Sequence, residues 1–111
     1  MSFLSNMFGG NSISPKEAHE RMGKLDNYIL LDVRTPQEFK QIRIKGAKLI
    51  PVDQLESRAA VDLPDKDVPI FVYCQSGARS ATATSILAGM GYSAAVNFGG
   101  IMSWPYETER G

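Results

Sequence analysis

Four short apolar runs constrain this chain more than any other feature: Tyr28-Ile29-Leu30-Leu31, Lys48-Leu49-Ile50, Ile70-Phe71-Val72-Tyr73 and Ala94-Ala95-Val96-Asn97. They are continuous rather than alternating, the pattern of strands covered on both faces. Helix-start signatures lie between them. Ser14-Pro15-Lys16-Glu17 reads as a capping box with Pro at the first helical position, opening a helix through about Met22 that Gly23 ends. Thr35-Pro36-Gln37-Glu38 repeats the device and predicts a short helix to about Gln41, and Asp53-Gln54-Leu55-Glu56 is a weaker third version. Strands separated by helices imply βαβ units and a mainly parallel sheet flanked by helices, an α/β architecture. The 111 residues suit one compact domain over 11–111, with an apolar fraction of 43% to build its core.

Charge and cysteine usage narrow the function classes. The net charge is zero with no block of like charges, which argues against nucleic acid or an anionic membrane as the main partner. No apolar run approaches the ~20 residues that span a bilayer. One cysteine cannot form an internal disulfide, so nothing demands an oxidising compartment. Residues 1–10 lack the charged start, apolar stretch and cleavage site of a signal peptide, so the expected address is cytoplasmic. Phe3, Leu4, Met7 and Phe8 have roughly helical spacing, but no Lys or Arg flanks them and Gly9-Gly10 stops any helix early. The expectation is a loosely ordered lead-in, or a strand packed on the domain. A single Cys and a single His cannot supply a typical zinc set, so no metal and no cofactor are expected. No feature sets an oligomeric state.

The single cysteine is the chemical focus. Cys74 follows the apolar run Val68-Pro69-Ile70-Phe71-Val72-Tyr73 and precedes a helical pattern from about Arg79 to Met90. The reading is strand, tight loop, helix, with the thiol at the carboxyl end of the strand. Backbone N–H groups of such a loop converge at a helix N-terminus, where an anion is favoured. The same geometry lowers a thiol pKa and makes the sulfur nucleophilic. A lone cysteine is more often a small buried hydrophobe. Here, however, Gln75, Ser76 and Gly77 are wrong for a core, and Gly77 permits the positive φ of a loop curling around an anion. Arg79 places a cation in the first helical turn, against the helix dipole, which is explained if it faces a bound anion or the thiolate. Ser80 follows as a supporting residue.

Ligands of open α/β sheets bind beyond the carboxyl ends of the strands. Asp32-Val33-Arg34 lies at a second such end. Asp32 and Arg34 read as structural, pairing with each other or with Glu38 and bracing the cysteine loop. His19 falls in the first predicted helix, as a surface or packing residue, so no Cys-His pair is evident. Activation of Cys74 is left to loop N–H groups, the helix dipole and Arg79. That suits attack on sulfur, which needs a thiolate but no general base.

Several segments, in order and spacing, resemble a single-domain rhodanese over nearly the whole chain. They are Leu31-Asp32-Val33-Arg34 with Glu38-Phe39, Ile44-Lys45-Gly46-Ala47 leading to Ile50-Pro51, Tyr73-Cys74 with Gly77 and Arg79-Ser80, and Asn97-Phe98-Gly99-Gly100 with Trp104. The resemblance implies the three-layer rhodanese-like fold, with a mainly parallel sheet of about five short strands flanked by helices. It also implies a persulfide intermediate, with Cys74 as the sulfur-accepting nucleophile and Gln75, Ser76, Gly77, Ala78 and Arg79 as its anion-cradling loop. Thiosulfate or a persulfide donor would load Cys74, and cyanide, a thiol or a partner protein's cysteine would unload it in a two-step scheme. Gly99, Gly100 and Trp104 read as turn and packing residues. Many relatives carry Gly-His-Ile where this chain reads Gln41-Ile42-Arg43-Ile44, and Arg43 is expected to be solvated.

Three alternatives stand beside this reading. Cysteine phosphatases and arsenate reductases also use a Cys-to-Arg loop, but with one residue more than the four separating Cys74 from Arg79. A smaller cradle suits one sulfur atom better than a tetrahedral oxyanion. A non-catalytic binding module on the same fold is the second, opposed by the intact Cys74, Gly77 and Arg79. A protein persulfide carrier is the third. Gln75, Ser76 and Ala78 offer thiosulfate no extra cation, which leaves room for a protein or low-molecular-weight persulfide as donor.

Overall fold

A computed structural model of the protein describes residues 11–111. The lead-in expected over residues 1–10 lies outside the described residues. Helices α1 (Pro15–Lys24), α2 (Pro36–Gln41), α3 (Leu55–Asp62) and α4 (Ala78–Gly89) alternate with strands β1 (Ile29–Asp32), β2 (Arg43–Ile44), β3 (Lys48–Leu49), β4 (Ile70–Cys74), β5 (Ala95–Gly100) and β6 (Thr108–Glu109). Short 3-10 turns occupy Val52–Gln54 and Ile101–Ser103. The central sheet has the order β3-β1-β4-β5, and every pairing in it is parallel.

This sheet holds four strands among the described residues, where about five were expected. The candidate fifth is cut to a single bridge, Ser12 beside Asn97. Ile13 donates its N–H to Asn97 O at 2.9 Å, and Asn97 donates to Asn11 O at 2.7 Å. Pairing stops there because Ser14 is already the cap of α1 and Pro15 its first residue. Strands β2 and β6 form a separate antiparallel pair. Arg43 is correspondingly not free in solvent. It pairs with Glu109 across that ladder at 3.2 Å, donates to Phe39 O, and lies 4.7 Å from the Phe39 ring centroid.

The helix starts vary in how fully they close. Thr35 Oγ1 accepts from the Glu38 N–H at 3.2 Å and Glu38 Oε1 accepts from the Thr35 N–H at 3.0 Å, a complete capping box. At α1 only the Ser14 half is made, and Glu17 pairs instead with Arg21 one turn on. That helix runs through Gly23 to Lys24 rather than ending at the glycine. Asp53 caps nothing, because the 3-10 turn Val52–Gln54 intervenes and α3 starts at Leu55 without a side-chain cap.

All five β4 residues are buried, and their side chains alternate between two cores. Ile70, Val72 and Cys74 face an aliphatic cluster with Leu31, Val33, Leu55, Ala59, Ala83 and Leu87, under α3 and α4. Phe71 and Tyr73 face an aromatic one with Phe98, Trp104, Leu30, Ile44, Ala18 and Met22, under α1. Burying one such aliphatic or phenyl side chain contributes about 1.5–3 kcal/mol, so continuous apolarity is what a twice-covered strand requires. His19 stacks on Tyr106 at 3.7 Å between ring centroids and meets Trp104 edge-on, a packing role on the aromatic side.

Candidate active site

Cys74 is the last residue of β4, and α4 starts four residues later, so strand end, loop and helix N-terminus meet at one sulfur. Two glycines make the turn possible. Gly77, the residue before α4, has φ +121°, a conformation L side chains rarely adopt. It donates its N–H to Cys74 Sγ at 3.0 Å. Gly100 pairs with Cys74 across the β4–β5 irregularity. A Cβ built on Gly100 would sit 2.0 Å from Gln75 O and 2.6 Å from Ser76 Cα, so the loop closes down onto β5 only because no side chain is there.

Cys74 is 1% exposed, on the floor of the loop. Burial pushes the Cys74 thiol pKa up, but the Ser80 hydroxyl and the N–H groups of Ser80, Gly77 and Ser76 favour the thiolate. The balance lies below the ordinary thiol value. Ser80 is fully buried, 3.4 Å from Sγ. Its Oγ also lies 2.7 Å from Asn97 Oδ1, 3.0 Å from Gly77 O and 3.2 Å from Gly99 O. A hydroxyl has one proton, so it can serve only one of these acceptors at a time and is free to turn toward sulfur when the thiol ionises. Asn97 is itself held by the Gly99 N–H at 2.8 Å.

Two arginines flank the loop. Arg34, 1% exposed, binds the fully buried Asp32 carboxylate through Nε at 3.0 and 3.1 Å and through Nη2 at 2.7 Å. Nη2 also donates to Ile42 O at 2.6 Å, and Nη1 reaches Gln75 Oε1 at 3.4 Å. The pair thus fastens the end of β1 to the residue after Cys74. Arg79, expected to face the thiolate or a bound anion, makes its hydrogen bonds to Glu38. Its Nη1 and Nη2 donate to Glu38 Oε1 and Oε2 at 2.8 and 2.9 Å, a fork-to-fork pair. The Arg79 guanidinium holds the Glu38 carboxyl down to about 2, against a resisting contribution from partial burial. The cation that opposes the α4 dipole is therefore offset by a carboxylate from the first turn of α2.

The chain has counterparts among known proteins. The family described as Rhodanese-like domain matches residues 14–106. The chain belongs to the rhodanese-like family. Thiosulfate sulfurtransferase PspE of Escherichia coli strain K12 is 39% identical over 71 residues, 64% of this chain and 68% of that protein. Thiosulfate sulfurtransferase GlpE of Ectopseudomonas mendocina is 32% identical over 104 residues, covering 89% and 92%. A solved rhodanese with anions from E. coli superposes with a TM-score of 0.71 at 34% identity, over 76% of this chain and 99% of that one.

In this rhodanese-like chain the residues singled out from sequence converge as a set. Cys74, the loop 75–79, Ser80, Asp32 and Arg34 meet at the carboxyl ends of β1 and β4. The partners that sequence reasoning left out are Asn97 and Gly99, which hold Ser80, and Glu38 as the counter-ion of Arg79. Glu38 carried a visible signal as the last residue of a capping box, but its second partner lies 41 positions away. Among the described residues, no group of His, Cys, Asp and Glu could hold a metal ion, and no helix is long and apolar enough to cross a membrane.

Proposed function

We propose that the chain transfers sulfane sulfur through a persulfide on Cys74. The observation that carries this reading is the buried Cys74 sulfur at the N-terminus of α4, accepting the Gly77 N–H at 3.0 Å with the Ser80 hydroxyl 3.4 Å away. Such a shell holds a sulfur anion and offers no general base. The Cys74 thiolate attacks the outer sulfur of thiosulfate, the S–S bond of the donor breaks, and sulfite leaves with the bonding pair. The product is the Cys74 persulfide anion, held by the same donors. Cyanide or a thiolate then attacks the outer sulfur, and the Cys74 thiolate leaves, closing a two-step cycle. Charge is conserved in both steps. The names of the relatives support this activity for the chain. A reducing, cytoplasmic setting would keep the single thiol available for turnover.

The test is intact mass after incubation with thiosulfate. One added sulfur is expected, lost on cyanide with release of thiocyanate, and absent in Cys74→Ser, whose transfer activity should fall to background. Undiminished transfer by that variant would remove Cys74 from the chemistry. A second reading, a carrier passing sulfur to a partner protein's thiol, is favoured by the Arg79–Glu38 pair, which leaves the loop without a free cation for thiosulfate. Phosphatase chemistry is disfavoured for the same reason.

A further inference from the structure

We propose that Glu38 sets the charge selectivity of the sulfur-donor entrance. By binding Arg79 through both carboxylate oxygens it turns the loop toward organic persulfides and away from dianionic thiosulfate. The proposal rests on the sulfurtransferase reading above and adds to it the donor class and the residue that selects it.

Three observations carry it. The two side chains meet fork to fork at 2.8 and 2.9 Å, and each is about a third exposed, at 36% and 29%. They therefore sit at the surface beside the loop rather than in the core. Second, Glu38 is fixed from behind. Its Oε1 accepts from the Thr35 N–H at 3.0 Å and the Thr35 hydroxyl at 3.1 Å, so the carboxylate is aimed at Arg79 before any ligand arrives. Third, the rest of the rim is neutral. Gln75, Ser76 and Ala78 carry no charge, and Met102 is 70% exposed while its N–H donates to Gln75 O at 3.3 Å. An incoming donor meets an apolar side chain, an amide, a hydroxyl and a cancelled ion pair. The other arginine of the site, Arg34, is sealed against Asp32. Nothing in that set favours two negative charges, whereas an alkyl persulfide brings one charge and apolar atoms for Met102.

The charges around the sulfur can be read by alkylation, without any sulfur transfer. The same thiolate attacks iodoacetate and iodoacetamide, displacing iodide, and the iodoacetate-to-iodoacetamide rate ratio at one pH cancels the thiol pKa and leaves the local potential. One uncompensated charge close to the sulfur is worth about three- to tenfold in that ratio at low salt. Glu38→Gln should raise the ratio by that factor, Arg79→Gln should lower it, and the double variant should return near wild type. Glu38→Gln should also raise kcat/KM for thiosulfate relative to cysteine persulfide by a similar factor.

Thr35→Ala separates charge from folding, because it loosens the α2 cap but keeps both charges. With the Thr35 N–H still holding Glu38, it should move the ratio far less than Glu38→Gln does. An unchanged ratio in Glu38→Gln, equal movement in Thr35→Ala, or a shifted ratio without a shift in donor preference would each overturn the proposal. A wild-type protein that takes sulfur from neither donor would instead sink the sulfurtransferase reading, with the alkylation ratios still interpretable.

Discussion

Two arginine–carboxylate pairs flank the Cys74 loop, and only one of them is sealed from water. Asp32–Arg34 is 0% and 1% exposed, and each guanidinium nitrogen has a protein acceptor. Glu38–Arg79 has equally short contacts but leaves about a third of each side chain in solvent. The chemistry is the same and the depth differs, so their consequences divide. A buried pair whose one member is lost leaves an uncompensated charge in the core, while a half-exposed pair that is broken is rescued by water. The inner pair is a brace between β1 and the loop, and the outer one is adjustable.

The largest effect that would break this contrast comes from Arg34→Met, which strands the Asp32 carboxylate. A loss of about 3–5 kcal/mol is expected in urea unfolding, against less than about 1 kcal/mol for Arg79→Ala. Comparable losses would show the two pairs to be equivalent. Ser80→Ala is next. Removing its hydroxyl takes one donor from the sulfur, so the pH midpoint of iodoacetamide alkylation should move up, with a stability loss of about 1–3 kcal/mol from the broken buried network. A midpoint that stays put would transfer control of the thiolate to the loop N–H groups alone.

The smallest effect is the pH dependence of the outer pair. The Glu38 carboxyl is held at about 2 in the folded protein and returns to 4.5 when unfolded. A depressed folded value stabilises above the unfolded one and is lost as pH falls through the folded one. The stability difference between wild type and Glu38→Gln should therefore be full at pH 6, below about 1 kcal/mol. It should fade between about 4.5 and 2. A difference that grows on acidification would contradict the assigned pairing.

Much of this was legible in the chain because it is local. The continuous runs at Ile29–Leu31 and Ile70–Tyr73, the Thr35-Pro36-Gln37-Glu38 signature and the polar residues after Cys74 each act within one element. What escaped depends on elements far apart in sequence. Arg79 was read against the dipole of its own helix, and the group that neutralises it belongs to α2. Arg43 looked free because its partner Glu109 is 66 residues away on β6. Asp53 matched a cap by spacing alone, yet the chain leaving Pro51 enters a 3-10 turn and moves the helix start past it. Among the described residues the fifth strand shrinks to one bridge at Ser12, because the cap of α1 follows two residues on.

The depth of Cys74 gives the two halves of a sulfur-transfer cycle unequal reach. A cysteine that is 1% exposed meets only a donor slender enough to probe the floor of the loop. Once loaded, the reactive atom stands one S–S bond, about 2.05 Å, further out. The cargo thus becomes its own handle: an acceptor too broad to touch the empty thiol can still take hold of what that thiol carries.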